Sequence, residues 1–424
     1  MDNLTHTLIG LIAGETLAQT IPGSKDGLSP ETRRGAFVTA MVVGGNLPDL
    51  DLLYSYRGPS TGTLGYMLEH RGYTHTIIGC VALALLLYGG IEAWIHRQRL
   101  VASRADHLAL LGVALFGTGL HLAMDALNSY GVHPFWPVQN RWVYGDSVFI
   151  VEPLYWAAAA PLIFIVRSTI ARILLSAVVV AAVIASLLSG LVPHVICLSL
   201  AVFIALMVGI GWRGQERMAT LASAAAFMVF TASFVVAGQI AARRVEAMTR
   251  MEFPSAHTID HVLTPMPVDP LCWDVLVLQT AGDRYISRHA TLALAPALIP
   301  ANRCGGFDID RPTRVPQSAA AVRDATAIRW REFSMSTATL VALVVSHCEA
   351  AALMRFARAP FAISAEQDWL LGDLRFDRGR KSVFGVIRIG KDAMDSRPCP
   401  WTPPWEPPRA ELLKAARVQD MAMP

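Results

Sequence analysis

The sequence predicts an α-helical polytopic membrane protein of about eight spans with a water-exposed, mainly β (α+β) domain at its C-terminal end. Three observations carry that reading. Hydrophobic residues are 53% of the 424 and charged residues only 16%, against about a quarter charged in soluble domains. Several stretches approach the roughly 20 apolar residues that a membrane-spanning helix needs. After residue 245 the composition turns to Pro, Arg and Asp, with segments of strand character.

The spans follow in chain order. Segments 4–21 and 35–53 are marginal because they carry polar residues. The clear stretches are 73–95, 107–127, 171–191, 194–212 and 218–241, and 150–166 is shorter and interrupted by Pro153 and Pro161. The expectation is eight spans if both early segments cross, and six if they only dip in. Three regions result: 1–150 with the polar motifs, 151–244 with further helices, and 245–424 outside the membrane. In the last, WDVLVLQT, DRYISRHATLAL and SVFGVIRIG read as strands, and TATLVALVVSHCEAAALMRFA reads as helix. The tail PCPWTPPWEPP is too rich in proline for regular structure and wraps or extends.

Orientation follows from the basic residues of the short loops. Lys25, Arg33 and Arg34, then Arg97, Arg99 and Arg104, then Arg167 and Arg172, then Arg213 and Arg217 fall on one side of an eight-span chain. That side is expected to be cytoplasmic, in a bacterial-type inner membrane. Arg243 and Arg244 disagree, following the last span on the other side. The opening MDNLTHTLIG lacks the positive leader of a cleavable signal. Cys80 and Cys197 lie in apolar stretches, whereas Cys272, Cys304, Cys348 and Cys399 can form two disulfides if their domain faces an oxidising compartment. The net charge of +3 gives no ground for a nucleic-acid partner.

The first 130 residues contain side chains that a lipid-embedded chain avoids unless they are paired, hydrated or metal-bound. They are His6, Asp49, Asp51, His70, His75, His121 and Asp125. On the eight-span path all of them reach the outer ends of their segments, at one membrane level. In HLAMD, His121 and Asp125 are four apart and share a helix face. In NLPDLD, Pro48 favours a break beside Asp49 and Asp51. In EHRGYTHT, Gly72 permits a turn between His70 and His75, and Arg71 is suited to clamp an anionic oxygen. Imidazoles and carboxylates without thiolates suit zinc, with manganese or iron as alternatives, as one or two ions. The bland reading of any one of these residues is a hydrogen-bonded helix contact or a loop carboxylate. Glu15, Asn46 and Asn128 are possible supporting partners by position. His133 is a weak ligand candidate, and His96 and His107 read as interfacial.

The ordered set DNLTHTLIG, GGNLPDLD, HRGYTHT and HLAMDALNSYG resembles the membrane-bound metal-dependent hydrolases, also described as LexA-binding, inner-membrane-associated hydrolases and YdjM-like proteins. The resemblance covers about the first 150 residues. It implies a divalent metal held by His6, Asp49, His70, His75, His121 and Asp125. The pattern ending in HxxxD is also similar to zinc-dependent phospholipase C and related single-strand nucleases, although HxxxE and an N-terminal Trp are lacking. The expected function is hydrolysis of a lipid or phosphoester by metal-activated water at the outer membrane surface, with Asp49, His75 and Arg71 in catalytic roles. His6, His70, His121 and Asp125 would then hold the metal, and the C-terminal domain would cover the site. The rival expectation is a transporter or sensor with a His/Asp proton or metal relay. A scaffold for a cytoplasmic repressor rests on the family description alone.

Overall fold

The structure is a computed structural model that describes residues 1–55, 63–304, 315, 318–319, 328–377, 384–391, 399 and 401–414. Residues 382–383 of the strand expected in SVFGVIRIG, and 398 and 400 of the proline-rich tail, lie outside the described residues.

The chain opens with α1 (Asn3–Thr20), capped by the Asp2 carboxylate on the Thr5 amide, and α2 (Pro30–Gly44), which starts at a Ser29 cap with proline in its first turn. Gly10 and Gly14 let these two helices touch. A Cβ at either position would lie 2.7 Å from the α2 backbone, at Met41 O and Val38 Cα. Pro48 breaks α2 as expected, and a 3₁₀ turn (Leu47–Asp51) leads into the short α3 (Leu52–Ser55). Next come α4 (Thr63–Glu69), a 3₁₀ turn (Tyr73–His75), α5 (Ile77–Arg97) and α6 (Arg104–Ala126), the last with a Ser103/Asp106 capping box. After a loop come α7 (Pro153–Ala158), a 3₁₀ turn (Ala160–Phe164), α8 (Thr169–Ser189), α9 (His194–Arg213) and α10 (Glu216–Glu252).

Among the described residues five helices are long and apolar enough to cross a membrane: α5, α6, α8, α9 and α10. The pair formed by α2 and Leu47–Ser55, bent by 45°, makes a sixth if it counts as one span. Two of the expected spans, 4–21 and 150–166, are therefore corrected in different ways. Segment 4–21 forms α1, which falls outside the set while packing Leu8, Ile9 and Ile12 into the bundle. Segment 150–166 is broken at Pro161 into two short turns, and every residue of α7 is buried by its neighbours. It fills the bundle, with the Trp156 indole donating to Thr5 Oγ1 at 2.9 Å.

The basic turns gather at one end. Arg34 pairs there with Glu15 at 2.8 Å and with Glu216 at 3.3 Å, and Arg167 pairs with Glu31 at 2.7 Å. The polar motifs gather at the other end. Helix α10, with 37 residues, is on the order of 55 Å long, so it continues past the hydrocarbon and carries the C-terminal domain. This accounts for the discordant arginines: Arg244 donates to the carbonyls of Ala293 (3.3 Å) and Leu294 (2.7 Å) in that domain.

The domain contains an antiparallel sheet of β1 (His257–Met266), β2 (Asp269–Ala281), β3 (Arg284–Ala293), β4 (Ser318–Ala319) and β5 (Ile328–Ser336), in the order β1-β2-β3-β5-β4. Two short helices follow, α11 (Thr337–Ser346) and α12 (Cys348–Leu353), so the single helix expected there breaks at His347. A second antiparallel sheet is β6 (Pro360–Ser364), β7 (Asp368–Asp373) and β8 (Val386–Gly390). The four cysteines pair as Cys272–Cys304 and Cys348–Cys399, and Cys80 and Cys197 are free and buried. One apolar core joins Leu64, Met67, Leu68 and Tyr130 to Phe356, Phe361 and Leu371 of the domain, so the domain sits over the polar end of the helices. Trp405 of the proline-rich tail is buried against that junction.

Candidate metal centre

Four segments bring their polar residues together: the start of α1, the Leu47–Asp51 turn, the Glu69–His75 loop and the end of α6. Donor atoms of Asp49, His75, His121 and Asp125 all lie within 4.8 Å of one another, and all four residues are buried. Asp49 belongs as well to a second buried group, with Asp51 and His70.

The hydrogen-bond pattern decides what this cluster can do. His121 Nδ1 lies 2.7 Å from the Gly45 carbonyl, which only accepts, so this nitrogen carries the proton. His75 Nδ1 faces Asp51 Oδ2 at 3.2 Å and Thr74 Oγ1 at 3.0 Å, and the Thr74 hydroxyl donates to Asp51. With both Nδ1 atoms protonated, the two Nε2 atoms present lone pairs to each other at 3.0 Å. Asp49 Oδ1 stands 3.3 Å from His75 Nε2 and 3.6 Å from His121 Nε2, and Asp125 Oδ2 stands 3.3 and 3.6 Å from the same atoms. Among the described residues neither oxygen accepts an aligned hydrogen bond, although Arg71 Nε forms an ion pair with Asp125 Oδ2 at 3.0 Å. Four buried acceptors converge with that single cation at their edge. A cation satisfies all four at once, and two imidazoles with two carboxylates are the donor set of a borderline divalent metal. The residues present fit such an ion.

The remaining predicted residues have distinct places. His6 Nε2 is 3.2 Å from Asp125 Oδ1, and its ring stacks on His121 at 3.9 Å, so it borders the first group without joining it. The Met1 nitrogen also touches Asp125 Oδ1. His70 Nδ1 binds Asp51 Oδ1 at 2.9 Å and belongs to the second group. Arg71 is buried, with its Nε 3.0 Å from Asp125 Oδ2, its Nη1 donating to Asn128 Oδ1 at 2.9 Å, and its guanidinium over the Tyr130 ring. The left-handed residue of this loop is Arg71 itself, at φ 63°, and not Gly72. A bulky residue costs about 1–3 kcal/mol in that region. The conformation is held by the Arg71 amide, which donates to Asp51 Oδ2 at 2.8 Å, and by the buried guanidinium.

Two supporting assignments change. Glu15 pairs with Arg34 at the basic end of the bundle, far from the cluster. His133 lies outside both groups: it packs against Trp405 and Trp142, both at 3.9 Å, with Nδ1 on the Arg71 carbonyl at 3.3 Å. Burial pushes its imidazole down to about 3, so it is neutral. Asn46 steadies the start of the turn by donating to Thr7 Oγ1 and the Val42 carbonyl. His107 pairs with Glu92 at 2.7 Å, away from the site. Sequence reasoning missed Thr74 and the Gly45 carbonyl, and it gave Asp51 too small a part. Asp51 accepts from or faces His70, Arg71, Thr74 and His75 together. Such an outer partner fixes the orientation of the residues that grip an ion. Asp51→Asn is therefore expected to weaken transition-metal affinity by about 10–100-fold, read by competition with a chelator of known affinity; an unchanged affinity would contradict this positioning role.

No curated protein and no solved structure matches the chain. Residues 1–195 match the family described as YdjM inner membrane protein. That stretch contains all four motifs and every residue of the cluster, and over it the chain is similar to the YdjM inner membrane protein family.

Proposed function

We propose that the chain is a membrane-bound metal-dependent hydrolase acting on a lipid or lipid-linked phosphoester at the outer face of the membrane. The observation that carries this reading is the pair of facing Nε2 lone pairs of His75 and His121, 3.0 Å apart beside carboxylate oxygens of Asp49 and Asp125. Asp49, His75, His121 and Asp125 would hold one ion, zinc first and manganese or iron next. Asp49, Asp51 and His70 would serve a second. A bound ion of this kind lowers the pKa of water toward about 7 and polarises a phosphoryl oxygen.

The chain's own residues supply the rest. Asp51 and the Gly45 carbonyl fix the tautomers of His75 and His121, so both Nε2 atoms stay available. Arg71, already paired with Asp125, places a permanent positive charge beside the site, which suits an anionic substrate. The domain over the site limits the access of water. Its disulfides are of the kind that persist in oxidising compartments, and the basic turns lie at the opposite end. Both facts favour a site on the outer side.

A lipid substrate is favoured by a groove of about 850 Å³ between α2 and α5, lined by Val43, Leu83, Leu87 and Ile91. It reaches Leu47 and Leu50, which flank Asp49 in the same turn. An acyl chain lying there would bring its headgroup to the cluster.

The test is turnover. Detergent-purified protein stripped by a chelator and reloaded with zinc, manganese or iron is expected to cleave a long-chain phospholipid or lipid-linked phosphoester only after reloading. A Cβ at Gly90, which lines the groove, meets nothing within 4 Å, so Gly90→Leu would extend into the groove. It is expected to slow cleavage of the long-chain substrate about tenfold and to leave a short-chain analogue unaffected. Metal-loaded protein that cleaves no phosphoester would overturn the reading.

A further inference from the structure

A second opening, of about 320 Å³, adjoins the cluster on the side of the C-terminal tail. Its walls are Tyr54, Tyr73, Trp401 and Trp405, with Glu69 the one ionisable acid among them. The residues come from three distant parts of the chain. Tyr54 lies in α3, directly after the turn that carries Asp49 and Asp51. Glu69 and Tyr73 lie either side of His70 in the loop that carries His75. The two tryptophans come from the proline-rich tail.

The tail is fixed in place. Cys348–Cys399 ties its start, Arg355 Nη1 donates to the Trp405 carbonyl at 2.7 Å, and the Glu406 amide donates to the Asn140 carbonyl at 2.9 Å. The Trp405 indole stacks on His133, donates to the Leu68 carbonyl at 3.2 Å and tilts against Tyr73 at 5.1 Å. Gly72 permits this close packing, because a Cβ there would lie 2.7 Å from the Glu69 carbonyl and 3.4 Å from the Trp405 ring. The proline-rich segment thus delivers aromatic side chains to this opening.

Glu69 is 7% exposed, and among the described residues no hydrogen bond or ion pair reaches its carboxylate. The Asp51 carboxylate lies on the same side and adds negative charge. A buried acid without a counterion, ringed by four aromatic side chains, is the environment that attracts an alkylated ammonium. The ring faces carry negative potential, and a weakly hydrated cation gives up little water to meet them. A bare metal ion finds too few ligand atoms here, and an anion would be repelled.

We propose that this box is a subsite for the alkylammonium end of a zwitterionic phospholipid headgroup, whose phosphate lies at the neighbouring His/Asp cluster. The inference rests on the lipid-phosphoester reading for its phosphate, but the box is testable without turnover. The subsite selects among lipids by headgroup charge. Zwitterionic headgroups are held at two points, and headgroups without a cation at one.

The experiment uses full-length protein in detergent, with intrinsic tryptophan fluorescence as the readout. The probes are tetramethylammonium, phosphocholine and glycerol phosphate. Tetramethylammonium and phosphocholine are expected to bind, with Glu69→Gln and Trp401→Ala each weakening both by about tenfold and leaving glycerol phosphate unchanged. Trp401 is 43% exposed, and the charge-only Glu69→Gln change serves as the second variant. Nanodiscs of phosphatidylcholine or phosphatidylglycerol separate the possible sources of the cation. Preference for the choline lipid, lost in Glu69→Gln, supports the proposal even if no hydrolysis occurs. Tetramethylammonium that binds wild type and Glu69→Gln equally overturns it. So does binding of tetramethylammonium with no preference between the two lipids.

Discussion

Asp49→Asn is expected to reduce metal-dependent turnover by on the order of a thousandfold while leaving the fold almost untouched. Asparagine keeps the shape of aspartate but replaces a charged oxygen with a neutral carbonyl or an amide donor. Asp49 Oδ1 is the oxygen that faces both His75 and His121, and Asp49 belongs to both ligand groups. The same oxygen accepts no hydrogen bond within the protein. Its loss therefore costs the metal-free fold little, within about 1 kcal/mol. Paired measurements of turnover and of thermal midpoint in the metal-free state check both halves. A structural carboxylate would give the opposite pattern, with the midpoint falling and turnover retained.

Arg358→Ala is expected to produce the largest loss of stability. The Arg358 guanidinium is buried and binds Asp146 through two bonds of 2.8 and 2.9 Å, Asp260 through bonds of 2.7 and 3.1 Å, and the His261 carbonyl at 3.0 Å. Asp146 lies in the loop between α6 and α7, so this one side chain fastens the C-terminal domain to the end of the helical bundle that holds the cluster. Removing it strands Asp146 and leaves Asp260 with Arg409 alone, at 3.3 Å. Asp146 already has its pKa raised by burial in spite of the guanidinium. Asp260 experiences the same pressure from burial, but Arg358 and Arg409 outweigh it and hold the carboxyl below its usual range. Breaking a buried network by deleting one partner costs about 3–5 kcal/mol, or on the order of 10 °C in the midpoint of a domain this size. Scanning calorimetry or a thermal-shift assay in detergent reads this directly. A midpoint within 2 °C or so of wild type would show that the domain is fastened by its apolar contacts alone.

The helices of the membrane part were legible because burial in lipid demands uninterrupted apolar runs, which composition records. Segment 150–166 was not, because an apolar run reads the same whether lipid or neighbouring helices surround it. Only its length and the break at Pro161 separate the two cases. The doublet Arg243–Arg244 misled the charge rule because α10 leaves the membrane without ending. At the site, the four motifs identified most of the residues that meet, since histidines and aspartates at the ends of apolar segments have few other uses. Position along a helix decided the error at Glu15: nine residues beyond His6, it lies about 13 Å along the axis of α1. The Gly45 carbonyl left no trace, because every residue offers such a group. Trp405 was invisible for a different reason, as its partners Leu68 and Tyr73 lie more than three hundred residues away in sequence.

The central claim is that the buried His/Asp cluster holds a metal ion. Elemental mass spectrometry on protein purified in detergent without chelators tests it most directly, comparing wild type with the His121→Ala plus Asp125→Ala double variant. One or two equivalents of zinc, manganese or iron in the wild type, lost in the double variant, is the predicted result. A wild type as free of metal as the variant would contradict the account and leave the facing imidazoles of His75 and His121 to share a proton.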